Sequence, residues 1–157
     1  MYLYYLELAK MSDSNELFKL ANDLEIRRNS FNEDKINIID HENWLREVVQ
    51  QNKSWLYLAK TKDNQLIGSL RFDKKEKNCF VISIQISKNF RGKGFSKRII
   101  IKGIKNLSLK NKNPSITAYI KKDNIKSLRA FISAGFILLG QEFIKNNMSY
   151  VLRYEKY

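Results

Sequence analysis

Residues 91–96 read Arg91-Gly92-Lys93-Gly94-Phe95-Ser96 and follow the apolar run Cys79-Phe-Val-Ile-Ser-Ile-Gln-Ile86. Beyond them, Ile99, Ile100, Ile104 and Leu107 recur at helical spacing. A strand, a glycine loop and a helix start in that order can hold an anion. The first-turn N–H groups of the helix have no intrahelical acceptor, and the helix dipole favours negative charge there. Glycines at 92 and 94 let the backbone approach a phosphate, because no Cβ intervenes. Arg91 and Lys93 add positive charge to the same loop. The spacing is not that of a Walker P-loop, and Lys97 stands where a dinucleotide fingerprint needs its third glycine. Taken alone, a plain glycine turn accounts for the stretch equally well.

The other reactive residues are few. One histidine, His41, and one cysteine, Cys79, cannot assemble a Cys/His zinc site, so no metal is expected. Cys79 lies in an apolar run and reads as an inert buried thiol. Hydrophobic residues make up 43% and aromatics 12%, a globular composition. The net charge of +13 is compatible with a polyanion, an anionic surface or an acidic ligand. The lysines are nevertheless scattered along the whole chain, which points to compositional bias, so no nucleic-acid partner is expected. The start MYLYYLELAK is too short to span a bilayer and lacks a basic start and a small-residue cleavage site. A cytoplasmic setting without membrane insertion is expected.

The positioning elements follow from periodicity and punctuation. No linker, low-complexity stretch or repeat divides the chain, so residues 1–157 read as one domain. Strands are predicted over 2–9, 54–60, 65–72, 79–87, 115–120, 136–144 and 149–155. A helix capped by Ser12 or Ser14 carries Leu17, Leu20, Ala21 and Leu24 on one face. A second, capped by Asp40, aligns Trp44, Leu45, Val48 and Val49. Residues 25–37 show no clean period and read as a loop with positioned polar groups. A third helix runs from Lys93 to about Leu109, and a fourth is capped by Asp123 and stopped by Gly135. The order is β-α-α-β-β-β-α-β-α-β-β, an α/β domain with one sheet flanked by helices.

In that context Arg91-x-x-Gly94-x-Ser96 resembles the acetyl-CoA motif of the GCN5-related N-acetyltransferase (GNAT) family. Asn124, Ser127, Phe131 and Gly135-Phe136 resemble the family's second conserved segment, and the element order resembles its fold. The resemblance implies a mixed, mostly antiparallel sheet of about seven strands with about four helices, and acetyl-CoA as cosubstrate. It implies that backbone amides of residues 91–96 (Arg91, Gly92, Lys93, Gly94, Phe95, Ser96) hold the CoA pyrophosphate. Main-chain groups of Ile84 and Ile86 would pair with pantetheine like a short added strand, and one N–H there would polarise the acetyl carbonyl. Asn124 would bond the pantetheine arm, for which a plain helix cap is the competing role. Ser127 and Phe131 complete the cofactor side. The family often has tyrosine where Phe131 stands, and Phe131 cannot protonate the departing thiolate. Tyr119 is a substitute acid, with a half-buried strand aromatic as its simpler role. Gln85 occupies a position where related enzymes often carry a carboxylate.

The N-terminal third should form the acceptor side. Asn22-Asp23, then Arg27 with Ser30, then His41 with Trp44, is similar to acetyltransferases of nucleotide-linked 4-amino sugars, as in pseudaminic acid biosynthesis. This implies Arg27, Asn29, Ser30, His41 and Trp44 as substrate contacts, with His41 as base and Arg27 or Arg28 for phosphates. Each has a structural alternative: a first-turn helix residue, a core aromatic or a solvated charge. A protein N-terminus, a polyamine, an antibiotic amine and a non-catalytic acetyl-CoA-binding or RNA-binding module are the rival readings. A +13 chain suits a polyamine poorly. The sequence is compatible with a homodimer.

Overall fold

The computed structural model describes residues 3–156; residues 1, 2 and 157, including the first position of the predicted N-terminal strand, lie outside them. Seven strands form one sheet in the order β1-β2-β3-β4-β5-β7-β6. They are β1 (Tyr4–Leu8), β2 (Ser54–Thr61), β3 (Leu66–Glu76), β4 (Cys79–Ile86), β5 (Ser115–Lys121), β6 (Ile137–Ile144) and β7 (Asn147–Tyr154). Every neighbouring pair is antiparallel except β4 with β5. The helices are α1 (Ser14–Ala21), α2 (Leu24–Asn29), α3 (Ile38–Gln50), α4 (Phe95–Ser108) and α5 (Ile125–Ser133).

Alternation along the strands assigns the two faces. Leu70, Phe72, Phe80, Ile82 and Ile116 turn to one side and bury against Ile99, Ile100, Ile104 and Leu107 of α4 and Phe131 of α5. On the other side Leu56 and Leu58 pack under Leu17 of α1 and Leu45 of α3. The edge strand β6 stays exposed along nearly its whole length.

The unanticipated element is α2, which begins inside the stretch read as a loop. Asp23 caps it, Oδ1 accepting from Glu25 N at 3.1 Å and Ile26 N at 3.2 Å. Six residues are too few to display a hydrophobic period, so only the cap and Glu25 in the first turn signalled it. The caps of three other helices shift by one to three residues, and Asp13, not Ser12 or Ser14, stands at the N-cap of α1 without a side-chain capping bond. Asn37, not Asp40, caps α3, and Asn124, not Asp123, caps α5. The first helix is preceded by a 3-10 turn at Met11–Asp13 and ends at Ala21, before Leu24.

Beside β4, Gly68 of β3 has no room for a side chain. A Cβ there would stand 2.1 Å from the Gln85 carbonyl oxygen. The obstacle is backbone, so Gly68→Ala must open the β3–β4 ladder. It should cost about 1–3 kcal/mol or more, read as a lower urea midpoint at unchanged slope.

Candidate active site

The parallel pairing of β4 with β5 runs from Cys79↔Ser115 to Ile82↔Ala118 and stops. Beyond it β4 continues to Ile86 beside β3, and β5 continues to Lys121 beside β7. The strands part, and the β5-facing edge of residues 83–86 loses its partner strand. A cleft of about 670 Å³ opens in the wedge, lined by Ser83–Ile86, Tyr119, Ile120, α2, α3, the start of α4 and α5.

At the cofactor end, Gly92 and Gly94 adopt φ of +71° and +74°, left-handed values that side chains resist. A Cβ at either would meet nothing within 4 Å, so the loop faces open space. Gly94 is the N-cap of α4, whose first-turn amides follow directly. An open amide cradle next to an unpaired strand edge fits a diphosphate joined to an extended amide-bearing arm, which is the chemistry of CoA.

The side chains of that loop have other roles than added phosphate charge. Arg91 Nε donates to the Ile86 carbonyl at 2.9 Å, Nη2 to Asp23 at 2.6 Å and Nη1 to Glu25 at 3.0 Å. Arg91 is therefore a strut between the end of β4 and the cap of α2. Burial alone would raise the Asp23 carboxyl, but hydrogen bonds from Arg91 and the Ile26 and Glu25 amides hold it below its ordinary range. Lys93 Nζ donates to the Asn89 carbonyl at 2.8 Å. The Phe95 ring is buried against Phe90 and Tyr4, so only its backbone belongs to the cradle. Arg98 stacks over the Phe95 and Tyr4 rings, whereas Lys97 is exposed. Ile84 and Ile86 turn their side chains to the core. The Asn124 amide oxygen accepts from Ser127 N at 3.3 Å, a capping bond that leaves its NH₂ end to donate towards the cleft both residues line. Phe131 is buried and edge-packed on Phe136 at 5.0 Å, with one side on the cleft.

On the α2 side of the cleft, Arg27 is withdrawn from the phosphate role expected of it. Its Nε donates to Ala21 O at 2.6 Å, Nη1 to Asn32 O at 2.9 Å and Nη2 to Ser30 Oγ at 3.1 Å. The Ser30 hydroxyl itself donates to Ile26 O at 2.6 Å. Lys121 donates to Arg28 O at 3.0 Å and pairs with Glu33 at 3.1 Å. Asn22 makes two bonds to the backbone of Ile36. These residues shape α2 and the following loop into a firm wall, on which Asn29 and Ser30 line the cleft.

His41 and Trp44, one turn apart on α3, stand on the same wall with ring centroids 5.4 Å apart. His41 is 2% exposed, and its Nε2 has no hydrogen-bond partner among the described residues. A buried nitrogen left without a partner costs about 1–3 kcal/mol. Desolvation lowers the imidazole pKa below its ordinary value, against a backbone hydrogen bond with Ser14 and the nearby Glu42 charge. The ring is thus neutral at pH 7, an acceptor of protons. Tyr119 lies on the opposite wall and is 37% exposed.

Residues that sequence reasoning passed over are Ser69, Arg71 and Ser83, which line the cleft with Gln85. Ser69 pairs with Gln85 and Arg71 with Ser83 across β3 and β4, so all four share a face. Their signal was present as polar residues alternating with Leu70 and Ile84 in otherwise apolar strands. Among the described residues no group of three or more His, Cys, Asp or Glu is placed to hold a metal, and no helix is long and apolar enough to cross a membrane.

The sequence profile of the acetyltransferase (GNAT) domain matches residues 5–137. No curated protein matches the chain by sequence. Among solved structures, a spermidine N-acetyltransferase from Vibrio cholerae in complex with CoA and spermine superposes with a TM-score of 0.86 at 17% identity, covering 97% of this chain and 95% of that one. The aminoglycoside acetyltransferase AAC(6')-Ib in complex with coenzyme A gives a TM-score of 0.83 at 15% identity, covering 98% and 95%. At these identities the likeness is one of fold, while the profile match spans the phosphate loop, the parted strands and both acceptor helices. The chain belongs to the GNAT acetyltransferase family and is an acyltransferase that moves the acetyl group of acetyl-CoA to an amine.

Proposed function

We propose that the acceptor is the 4-amino group of a nucleotide-linked amino deoxy sugar. The observation carrying this reading is an acid-poor acceptor cleft with a neutral base in its wall. Among the described residues lining it, only Glu25 and Asp40 are carboxylates, and Glu25 is paired with Arg91. Spermidine and aminoglycosides, the acceptors named for the structural neighbours, are polycations that call for several free carboxylates. A sugar amine flanked by electron-withdrawing C–O bonds is less basic than an alkylamine. More of it is neutral at pH 7, and a weak base suffices.

Bound acetyl-CoA supplies an activated thioester carbonyl. The chain's part is to hold that carbonyl in the wedge, to direct the amine at it and to accept the proton the amine loses. In this reading a main-chain N–H from the unpaired edge of residues 83–86 bonds the carbonyl oxygen as it gains charge. His41 Nε2 takes the proton, directly or through one water. A thiolate is a far better leaving group than an alkoxide or an amide anion, so the CoA sulfur departs tolerably without an acid, which is consistent with Phe131 in the usual tyrosine place. Phe131→Tyr should therefore raise kcat by less than about tenfold at pH 7.5, well short of a full general-acid contribution.

The substrate assignment is tested by free-thiol release from acetyl-CoA with a panel of UDP-4-amino sugars, peptides, polyamines and aminoglycosides. Turnover should be confined to the amino sugars. Turnover of peptides or polyamines with none on any amino sugar would overturn it.

A further inference from the structure

We propose that Arg71 is an anion-reading subsite in the acceptor half of the cleft, so that the acetylated amine belongs to a molecule carrying a phosphate or carboxylate about one sugar ring away. The location of the amine beside His41 rests on the function proposed above; the subsite itself rests on the packing of Arg71.

Arg71 projects from β3 and is braced on two sides. Its guanidinium carbon lies 5.5 Å from the centre of the Trp44 ring, so the planar group is held by a cation–π contact. Its Nε is 2.9 Å from Oδ2 of Asp73, whose Oδ1 accepts from the Ser54 hydroxyl at 2.6 Å. The ion pair is angled too far for a hydrogen bond, and Nε is buried without an aligned acceptor. Neither brace uses the terminal amino groups, which no protein acceptor takes among the described residues. A guanidinium stacked on Trp44 and drawn towards Asp73 leaves those two groups as a fork, the geometry that grips two oxygens of a phosphate or carboxylate.

Arg71 belongs to the cleft lining: Arg71, Trp44, His41, Ser69 and Ser83 line the same cavity. Successive steps of 5.4 Å from His41 to Trp44 and 5.5 Å from Trp44 to Arg71 bound the span between base and fork. They set an upper limit, and a six-membered ring bearing an amine at one end and an anionic substituent at the other stays within it. Asp73 offsets part of the charge, so fork geometry more than net charge must provide the selectivity. Asp40, exposed on the same wall, offers the amine end of such a ligand a carboxylate. Arg27, whose hydrogen bonds are taken up internally, leaves Arg71 as the cleft arginine able to fill this role.

The test uses CoA-saturated enzyme, so that the cofactor cradle cannot take up the probe. UDP, inorganic pyrophosphate and glucuronate are titrated by calorimetry and by tryptophan fluorescence, Trp44 being in contact with Arg71. For the wild type, at least one probe should bind and perturb the fluorescence. Arg71→Gln should weaken that binding about ten- to a hundredfold, with CoA affinity unchanged. Arg71→Lys, which keeps charge but not the fork, should lose most of the same affinity and covers the case in which the Gln variant fails to fold. Equal binding of UDP and pyrophosphate assigns the fork to phosphate, and preference for glucuronate assigns it to carboxylate. Binding unaffected by either substitution, or no binding of any probe to the wild type, would overturn the subsite. Arg71-dependent binding without turnover of any amino sugar would count against the acceptor assignment alone. Turnover of UDP-amino sugars with an unchanged acceptor KM in Arg71→Gln would count against the subsite alone.

Discussion

His41→Gln should lower kcat by about 10²–10⁴-fold while leaving the affinity for CoA within a factor of two or so of wild type. The glutamine retains the volume and a polar end on the cleft wall but cannot accept a proton. Steady-state thiol release at saturating acetyl-CoA, with CoA binding measured separately, separates the two effects. A loss below about tenfold would make His41 a packing residue between Phe18 and Trp44, which it touches at 5.5 and 5.4 Å. The pH profile adds an independent check. Desolvation lowers the imidazole pKa, so the acid limb of the wild-type profile should fall below 6.5 and be absent in the variant. Stability has a matching sign. The folded-state pKa is depressed, so stability is fully present above the unfolded pKa near 6.5. It is lost as the pH falls from there through the folded value, because the unfolded chain takes up the proton first. His41→Gln should flatten that dependence.

Gly94→Val should abolish measurable CoA binding in a protein that still folds. Gly94 sits at φ +74°, and a Cβ added there would have nothing within 4 Å, so no neighbour is pushed aside. The cost to the fold is the left-handed conformation alone, about 1–2 kcal/mol for an ordinary residue and more for a β-branched one. The cost to binding is far larger, since the branched side chain occupies the space over the α4 amides through which a diphosphate must approach. Calorimetric titration with CoA should show at least a hundredfold loss, alongside a thermal transition that remains cooperative. Retained affinity would mean that the α4 cap is not the diphosphate site.

The sequence was most legible where one residue type answers one physical need. The glycines at 92 and 94 announced the left-handed turn that opens α4, because side chains resist positive φ. Apolar and aromatic runs bounded by turn residues located all seven strands, and the four longer helices emerged from their apolar faces. The short α2 stayed hidden, since its stability comes from Asp23 and from Arg91 reaching across 68 positions of chain. Arginines were the least legible. Nothing local distinguishes Arg27, bonded to backbone carbonyls around its own loop, from Arg71, whose fork faces the cleft. The difference lies in how the chain folds around each: Arg27 is wrapped by carbonyls from residues 21 to 34, whereas Arg71 lies on a strand against Asp73 and the distant Trp44.

The early end of the β4–β5 pairing has a further meaning. A ligand arm that docks along residues 83–86 completes an interrupted sheet as a strand would, by β-augmentation through main-chain groups. Recognition of that kind is indifferent to the side-chain alphabet. Ile84 and Ile86 can therefore be ordinary core residues on one side of the backbone and part of a binding site on the other. Their identity is free to follow the packing of α4, while the vacancy in the ladder is a property of topology.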